Sequence, residues 1–211
     1  MTKNNNTNNN KKRLPNGKGL GNQFKGMPED MQITLNYVEA FPFTGLGYNY
    51  WVYRLNSIHD PCETGVGHQP KGHDQLEELY SRYRVDIVEV EITFINASSI
   101  ATLVGIFPSN ANTSALSTNS AMENRDAQQT LLGAVDGMNK HTFRAKYNIQ
   151  KWLGYSSIIE GLSANFGSNP TESLKLHIFA STVDGTAANV NILPKIRYRK
   201  KVFERKQLDL S

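Results

Sequence analysis

The sequence predicts an all-β domain of two packed antiparallel sheets, a sandwich or jelly roll, on three observations. About eight short runs alternate apolar and polar residues with the period of two that half-buries a strand. The segments between them are long and rich in Gly, Pro and Asn. The regular crossover helices that a parallel α/β fold requires are missing.

Taken in order, residues 31–41 place Ile33, Leu35 and Tyr37 on one face and Gln32, Thr34 and Asn36 on the other, a half-buried first strand. Pro42, Gly45 and Gly47 are expected to break it. YNYWVYRLNSI (48–58) follows as the second strand, with Trp51, Tyr53 and Leu55 alternating with Val52, Arg54 and Asn56. A loop rich in Pro, Gly and His leads to a short amphipathic helix. Asp74 is expected to cap that helix, with Glu77 reaching back as in a capping box. Leu76, Leu79, Tyr80 and Tyr83 have the spacing of one helical face. The helix runs straight into VDIVEVEITFIN (85–96), whose phase slips between Ile87 and Val88, as a bulge or burial on both faces requires.

IATLVGIFP (100–108) follows after a short AlaSerSer link and is expected to pair back as a hairpin. Residues 109–139 form a long polar connection, in which 123–132 are expected to make a short helix. A connection this long points to function or to a contact surface. HTFRAKYNIQ (141–150), a short KWLGYSSI segment, ESLKLHIFASTV (172–183) and VNILPKIRYRKKVF (190–203) supply the remaining strands. In the third of these, Leu174, Leu176 and Ile178 alternate with Lys175, His177 and Phe179.

The 211 residues fit one domain large enough to bury a core. No run approaches the roughly 18 apolar residues of a membrane helix. The polar start, rich in Asn and Lys, implies no secretory signal. The single cysteine, Cys62, rules out an intramolecular disulfide and fits a reducing compartment.

The charge is unevenly spread. Residues 1–27 are Asn-rich, then basic, then Gly-rich, and carry Lys3, Lys11, Lys12, Arg13, Lys18 and Lys25 without an acid. Of 23 Lys+Arg, 17 therefore remain for the body, against 19 Asp+Glu. Residues 1–27 thus read as a flexible arm and 28–211 as the folded domain. All the excess positive charge sits in the arm, which suggests a polyanion held through its phosphates without sequence readout. A solvated tail is the plain alternative. The KKR at 11–13 is also a minimal nuclear-import patch.

Lys195, Arg197, Arg199 and Lys201 share parity on the last strand, so one of its faces is cationic. That face either lies against nucleic acid or pairs with acids such as Glu89 and Glu91. The two glutamates also share a strand face, but a solvated face or ion pairs explains them better than acid–base chemistry. No nucleophile-elbow, zincin, Walker or dinucleotide motif occurs, and we expect no enzyme and no cofactor. His59, Cys62, His68 and His73 invite a zinc reading. Their only tight pairs, His59-x₂-Cys62 and His68-x₄-His73, fit a polar loop better, and no metal is expected. The sequons at Asn96 and Asn112 matter only in a secreted chain.

NSIHDP (56–61), GVGHQPKGHDQ (65–75), LYSRYRV (79–85) and a Val/Glu strand ending TFIN occur here in that order. This series resembles the coat proteins of small circular single-stranded DNA viruses that encode a replication initiator. The similarity is strongest over residues 55–96 and looser over the rest of the body. It implies a single eight-stranded jelly roll, with residues 55–85 as the excursion between the second and third strands. It also implies a virion location and about 60 copies in a small T=1-like icosahedral shell, with the basic arm inside on the genome. Such coat proteins often carry a longer Arg-rich arm. Six charges in each of about 60 copies supply roughly +360, short of a genome of some thousands of phosphates. A satellite-like RNA virus coat would use the same phosphate contacts. A cellular jelly-roll binding module would want a signal peptide and a non-basic terminus.

Overall fold

The structure is a computed structural model that describes residues 27–65, 67–111, 117–182 and 184–207. Two antiparallel sheets carry the chain. The first has the order β1 (Asp30–Val38), β10 (Ala187–Arg205), β4 (Tyr80–Asn96), β7 (Lys140–Asn148). The second has the order β3 (Tyr48–Arg54), β9 (Lys175–Thr182), β5 (Thr102–Ser109), β6 (Gln128–Leu132). Numbered along the chain, these eight main strands run 1-8-3-6 and 2-7-4-5, which is the jelly roll. Two short strands add to the first sheet: β2 (Phe41–Leu46) on β10 and β8 (Ser163–Asn165) on β4.

The alternation of strand directions sorts the connections by length. The links β2–β3, β4–β5, β6–β7 and β9–β10 are all short and share one end of the sandwich. The long segments between β3 and β4, β5 and β6, and β7 and β9 lie at the other end. Met27 is at that long-loop end too, where its carbonyl accepts a 2.7 Å hydrogen bond from Arg205 Nη1. Among the described residues no helix is long and apolar enough to cross a membrane.

The alternation read from residues 31–41 holds, with Leu35 and Tyr37 buried between the sheets. Pro42 and Gly45 do not end the pairing as expected. Residues 41–46 form β2, which continues along the edge of β10 that β1 occupies. The break falls at Glu39–Ala40, opposite Pro194, whose carbonyl accepts from Glu39 N at 3.1 Å. β2 pairs with β10 and no second strand, so the missing N–H of Pro42 leaves no ladder position unfilled.

The helix is α1 (His73–Leu79), shorter than the apolar spacing implied. Its N-cap is Gly72 at φ +90°, and no side chain caps it, so the Asp74/Glu77 capping box is absent. Tyr80 and Tyr83 are not on the helical face but on β4, both fully buried. Aromatic and β-branched residues from Tyr80 onward satisfy the strand, and packing against β10 and β8 outweighs helix periodicity. The slip in β4 is a bulge: Arg199 opposes Ile87 and Lys200 opposes Val85, leaving Asp86 over.

Residues 100–108 do not return as a hairpin. Asn96 is the corner at which the chain leaves the first sheet, and β5 joins the second between β9 and β6. The side chain of Asn96 is fully buried and uses its full hydrogen-bonding capacity. Nδ2 donates to Ile100 O at 2.7 Å and Gly133 O at 2.8 Å, and Oδ1 accepts from Ser98 N at 3.0 Å and Ser98 Oγ at 2.7 Å. The sequon asparagine is thus structural. Asn112 lies outside the described residues.

Three further expectations are corrected. The helix between β5 and β6 is α2 (Thr118–Met122), capped by Ser117, while the expected 123–132 helix gives way to β6. KWLGYSSI is no strand: α3 (Ile149–Trp152), capped by Asn148, ends within it. β9 is buried on both faces rather than alternating. α2 covers the outer side, where Phe107, Ala121 and Phe179 form a second small core and Gly105 leaves room for the Phe179 ring. His177 stacks there on Phe107 at 4.7 Å, and burial lowers its pKa to about 4.

Asn96→Ala removes four hydrogen bonds at the corner between the sheets, among them the one to Gly133 O. It is expected to cost about 2–4 kcal/mol, read as a lower urea midpoint with an unchanged slope.

Candidate nucleic-acid interface

The pairing registers place the cationic face of β10 beside two neighbours. Arg197 opposes Glu89 on β4, and Glu89 opposes Lys146 on β7. One step along, Lys195 opposes Glu91, and Glu91 opposes Arg144. Two rows therefore cross the solvent face of the first sheet, each reading cation, carboxylate, cation. Arg199 leans into the first row.

Glu89 takes Arg199 at 2.7 Å, Lys146 at 3.2 Å and Arg197 at 3.4 Å. Glu91 takes Arg144 at 2.9 Å and Lys195 at 3.4 Å. Lys201, the fourth β10 cation, pairs with Asp30 of β1 at 2.5 Å. Of the two readings for this strand, pairing with neighbouring acids is what the structure contains, and Glu89 and Glu91 are among the acids.

Pairing does not neutralise the face, because five cations share two carboxylates. The side chains of Arg144, Lys146, Lys195 and Arg197 are 56–69% exposed, those of Glu89 and Glu91 26% and 33%. The positive groups therefore form the outermost layer over a floor of carboxylates. The rows line an open trough of about 740 Å³. Exposed pairs of this kind contribute little stability individually and exchange partners readily. An anion with oxygens spaced like those of a phosphodiester chain can take over the outer hydrogen bonds without a buried charge being stranded.

The Lys146 hydrogen bond, then the charges of Arg199, Lys146 and Arg197, hold the Glu89 carboxyl below its usual range. The Arg144 hydrogen bond and charge, with Lys195, do the same for Glu91. Neither has the raised pKa of a general acid.

Arg144 and Lys146 were not among the residues expected at this face. The alternation Arg144-Ala145-Lys146 in HTFRAKYNIQ carried the signal, but the sequence does not say that β7 lies beside β4. The arm cations Lys3, Lys11, Lys12, Arg13, Lys18 and Lys25 lie outside the described residues.

The histidine and cysteine set does not gather. His59 Nδ1 faces Gln69 Nε2 at 3.2 Å, and Cys62 Sγ accepts from Trp51 Nε1 at 3.1 Å. His68 stacks on Tyr37 at 4.5 Å. His73 is buried, with Nδ1 3.2 Å from Asp74. The His59 and His73 rings lie 6.3 Å apart, and each of the four side chains has a different partner.

No family model matches the chain, and no curated protein matches it. Among solved structures it is similar to Desmodium yellow mottle tymovirus at 13% identity, with 88% of this chain and 94% of that one covered and a TM-score of 0.46. A cryo-EM structure of Broad Bean Stain Virus is similar at 13% identity over 86% and 93% of the two chains, TM-score 0.45. A decameric BFDV capsid protein is similar at 10% identity over 82% and 99%, TM-score 0.44.

Glutamates with depressed pKa values contribute stability above their ordinary range and lose it as pH falls through the depressed values. The double variant Glu89→Gln, Glu91→Gln is expected to flatten the fall of the thermal midpoint below about pH 4.5, as calorimetry across pH would show.

Proposed function

We propose that this chain is a virus coat protein whose copies assemble into a small icosahedral shell around a single-stranded nucleic acid, DNA by resemblance. The observation that carries the nucleic-acid part is the five-cation face on the first sheet, whose edge strand β1 is where the chain enters from the Asn-rich basic arm. The coat part rests on the resemblance over residues 55–96. The jelly-roll topology supports it, with residues 55–79 as the excursion between the second and third main strands.

The face also bears on the charge shortfall of the arm. A net excess of three positive charges per copy adds roughly +180 to the roughly +360 of the arms in a shell of about 60 copies. Phosphate contacts of this kind serve DNA and RNA alike, so an RNA-virus coat protein is the alternative within the same reading.

The short-turn end supports contact between copies. Leu46 is 75% exposed at one edge of that end, and Met138 is 85% exposed at the other, near Val135. Apolar groups on opposite edges suit a head-to-tail contact, in which one edge of a copy meets the other edge of the next and the ring closes.

Electron microscopy of the purified full-length protein, with the 260/280 nm absorbance ratio of the same fraction, is the first test. Uniform shells with a raised ratio are expected. Nuclease digestion of the released polymer would tell DNA from RNA, and a monodisperse monomer across salt and pH would overturn the coat reading. Deleting residues 1–26 is expected to spare the shells and lower co-purified nucleic acid. Arg144→Glu with Lys195→Glu is expected to weaken binding of a single-stranded oligonucleotide. The slope of log affinity against log salt should become shallower by about 0.7 for each phosphate that the variant leaves unneutralised.

A further inference from the structure

The same strand that points cations outward points one lysine inward. Lys200 shares parity with Ile196, Tyr198 and Val202, and all four are essentially fully buried. It sits between Ile33 of β1 and Val85 of β4 in the pairing register. Its Nζ lies 5.4 Å from the centre of the Phe166 ring and has no hydrogen-bond partner among the described residues. The His73 ring meets Phe166 edge-on at 5.3 Å, and its Nε2 is likewise buried without a partner. A lysine from β10 and a histidine from the first turn of α1 thus meet at one phenylalanine, which belongs to the loop after β8.

We propose that this Lys200–Phe166–His73 stack is a proton-operated clasp. It holds α1 and the loop after β8 against β10 while both bases are uncharged, and loosens them as protons are added.

The groups that face the stack do not supply a counter-charge for Lys200. From α1, Asp74 and Glu77 lie at 3.2 and 3.9 Å from His73 Nδ1, on the solvent side, and from the segment after β3 the His59 ring lies 6.3 Å from that of His73. From β4, the Tyr83 ring packs on Phe166 at 5.4 Å, and its hydroxyl donates to Ser168 O and also contacts Ser57. Burial raises the Tyr83 pKa, so that group stays neutral. β1 contributes Ile33 and Leu35, and β10 contributes Tyr198, a phenol that burial keeps neutral. Arg199 and Lys201 point to the other face.

Burial lowers the Lys200 pKa to about 7. Burial also lowers that of His73, partly offset by Asp74. A base with a folded-state pKa below its unfolded value binds fewer protons folded than unfolded between the two values. The clasp therefore strengthens as pH rises from about 7 toward the ordinary lysine value of about 10.4. The lysine contribution is at its weakest, and flat, below 7. His73 extends the loosening below its ordinary value of about 6.5.

Hydrogen–deuterium exchange of the full chain between pH 6 and 9, normalised to intrinsic exchange rates, tests this. Protection of residues 73–79 and 166–174 is expected to fall by up to about tenfold per pH unit as pH drops from 9 to 7, while β5 and β9 stay constant. Lys200→Met should abolish that fall. His73→Gln should remove only the part below 6.5. Uniform protection of the wild-type chain across the range would overturn the clasp, whether or not either variant folds, and so would an unchanged profile in Lys200→Met. The clasp stands or falls separately from the coat reading, because its readout needs neither shells nor nucleic acid.

Discussion

A buried phenol needs an acceptor, and this fold is fastened at the places where five of them find one. Tyr37, Tyr53, Tyr80, Tyr83 and Tyr198 are fully buried. Each brings a large apolar ring to the core and a hydroxyl that costs free energy if left unpaired. Tyr37 from β1 and Tyr53 from β3 both donate to Glu39 Oε2, at 2.9 and 2.7 Å, so one carboxylate at the β1–β2 break links the two sheets. Tyr198 from β10 reaches across to Arg54 O at 3.1 Å, and Tyr80 holds Pro28 O at 2.9 Å. Most of these bonds run between separate elements, so they constrain register and sheet spacing together.

The long excursion after β3 is built on the same logic. Asn56 is fully buried and pairs with Leu174 N at 3.1 Å and Glu172 O at 2.7 Å, which seats the exit of β3 beside the entry to β9. Ser57 donates to Asn169 and accepts from the amides of His59 and Asp60. Ile58 fills the core, and Asp60 returns to Arg54 at 2.5 Å. Cys62 bridges back to Tyr53, and Gly67 lies so close to the Cys62 and Tyr37 side chains that a Cβ would clash. NSIHDP and the GVGH that follows are therefore a folding motif. In them Asn56, Ser57 and Asp60 meet local demands for donors and acceptors, Ile58 fills the core, and Gly67 leaves the room that Cys62 and Tyr37 need.

Much of this was legible in the sequence, and part of what was not has a common cause. Strand positions, the β4 bulge and the outward cations of β10 follow from periodicity, which is local. Several of the failures involve the partner across the gap. Residues 100–108 look like a returning hairpin until the side chain of Asn96 turns the chain into the other sheet. Pro42 and Gly45 look like breakers until an edge position removes the need for their missing groups. His177 and Phe179 alternate with apolar residues and look solvent-facing until α2 covers them. Arg144 and Lys146 became part of the cationic face only when β7 fell beside β4.

The two faces of β10 show how one alternating run, Lys195-Ile-Arg-Tyr-Arg-Lys-Lys201, does opposite electrostatic work. Outside, water screens the charges, and two glutamates at the correct register keep five cations together without neutralising them. The carboxylates of that face are held below their ordinary range by the cations beside them, so they stay ionised at neutral pH and still leave the cations in excess. Inside, no screening is available, and a lysine at the next position of the same run meets an aromatic ring rather than a carboxylate. Removing the charge is then less costly than burying it, and burial lowers the Lys200 pKa to about 7. Parity alone decides which role a basic residue takes. A shift of one residue in the pairing of β10 would exchange the two, which gives the bulge opposite Arg199 and Lys200 a second significance: it realigns β4 with β10 so that Glu89 and Glu91 stay outside beneath the cations while Val85 and Tyr83 stay inside with Lys200.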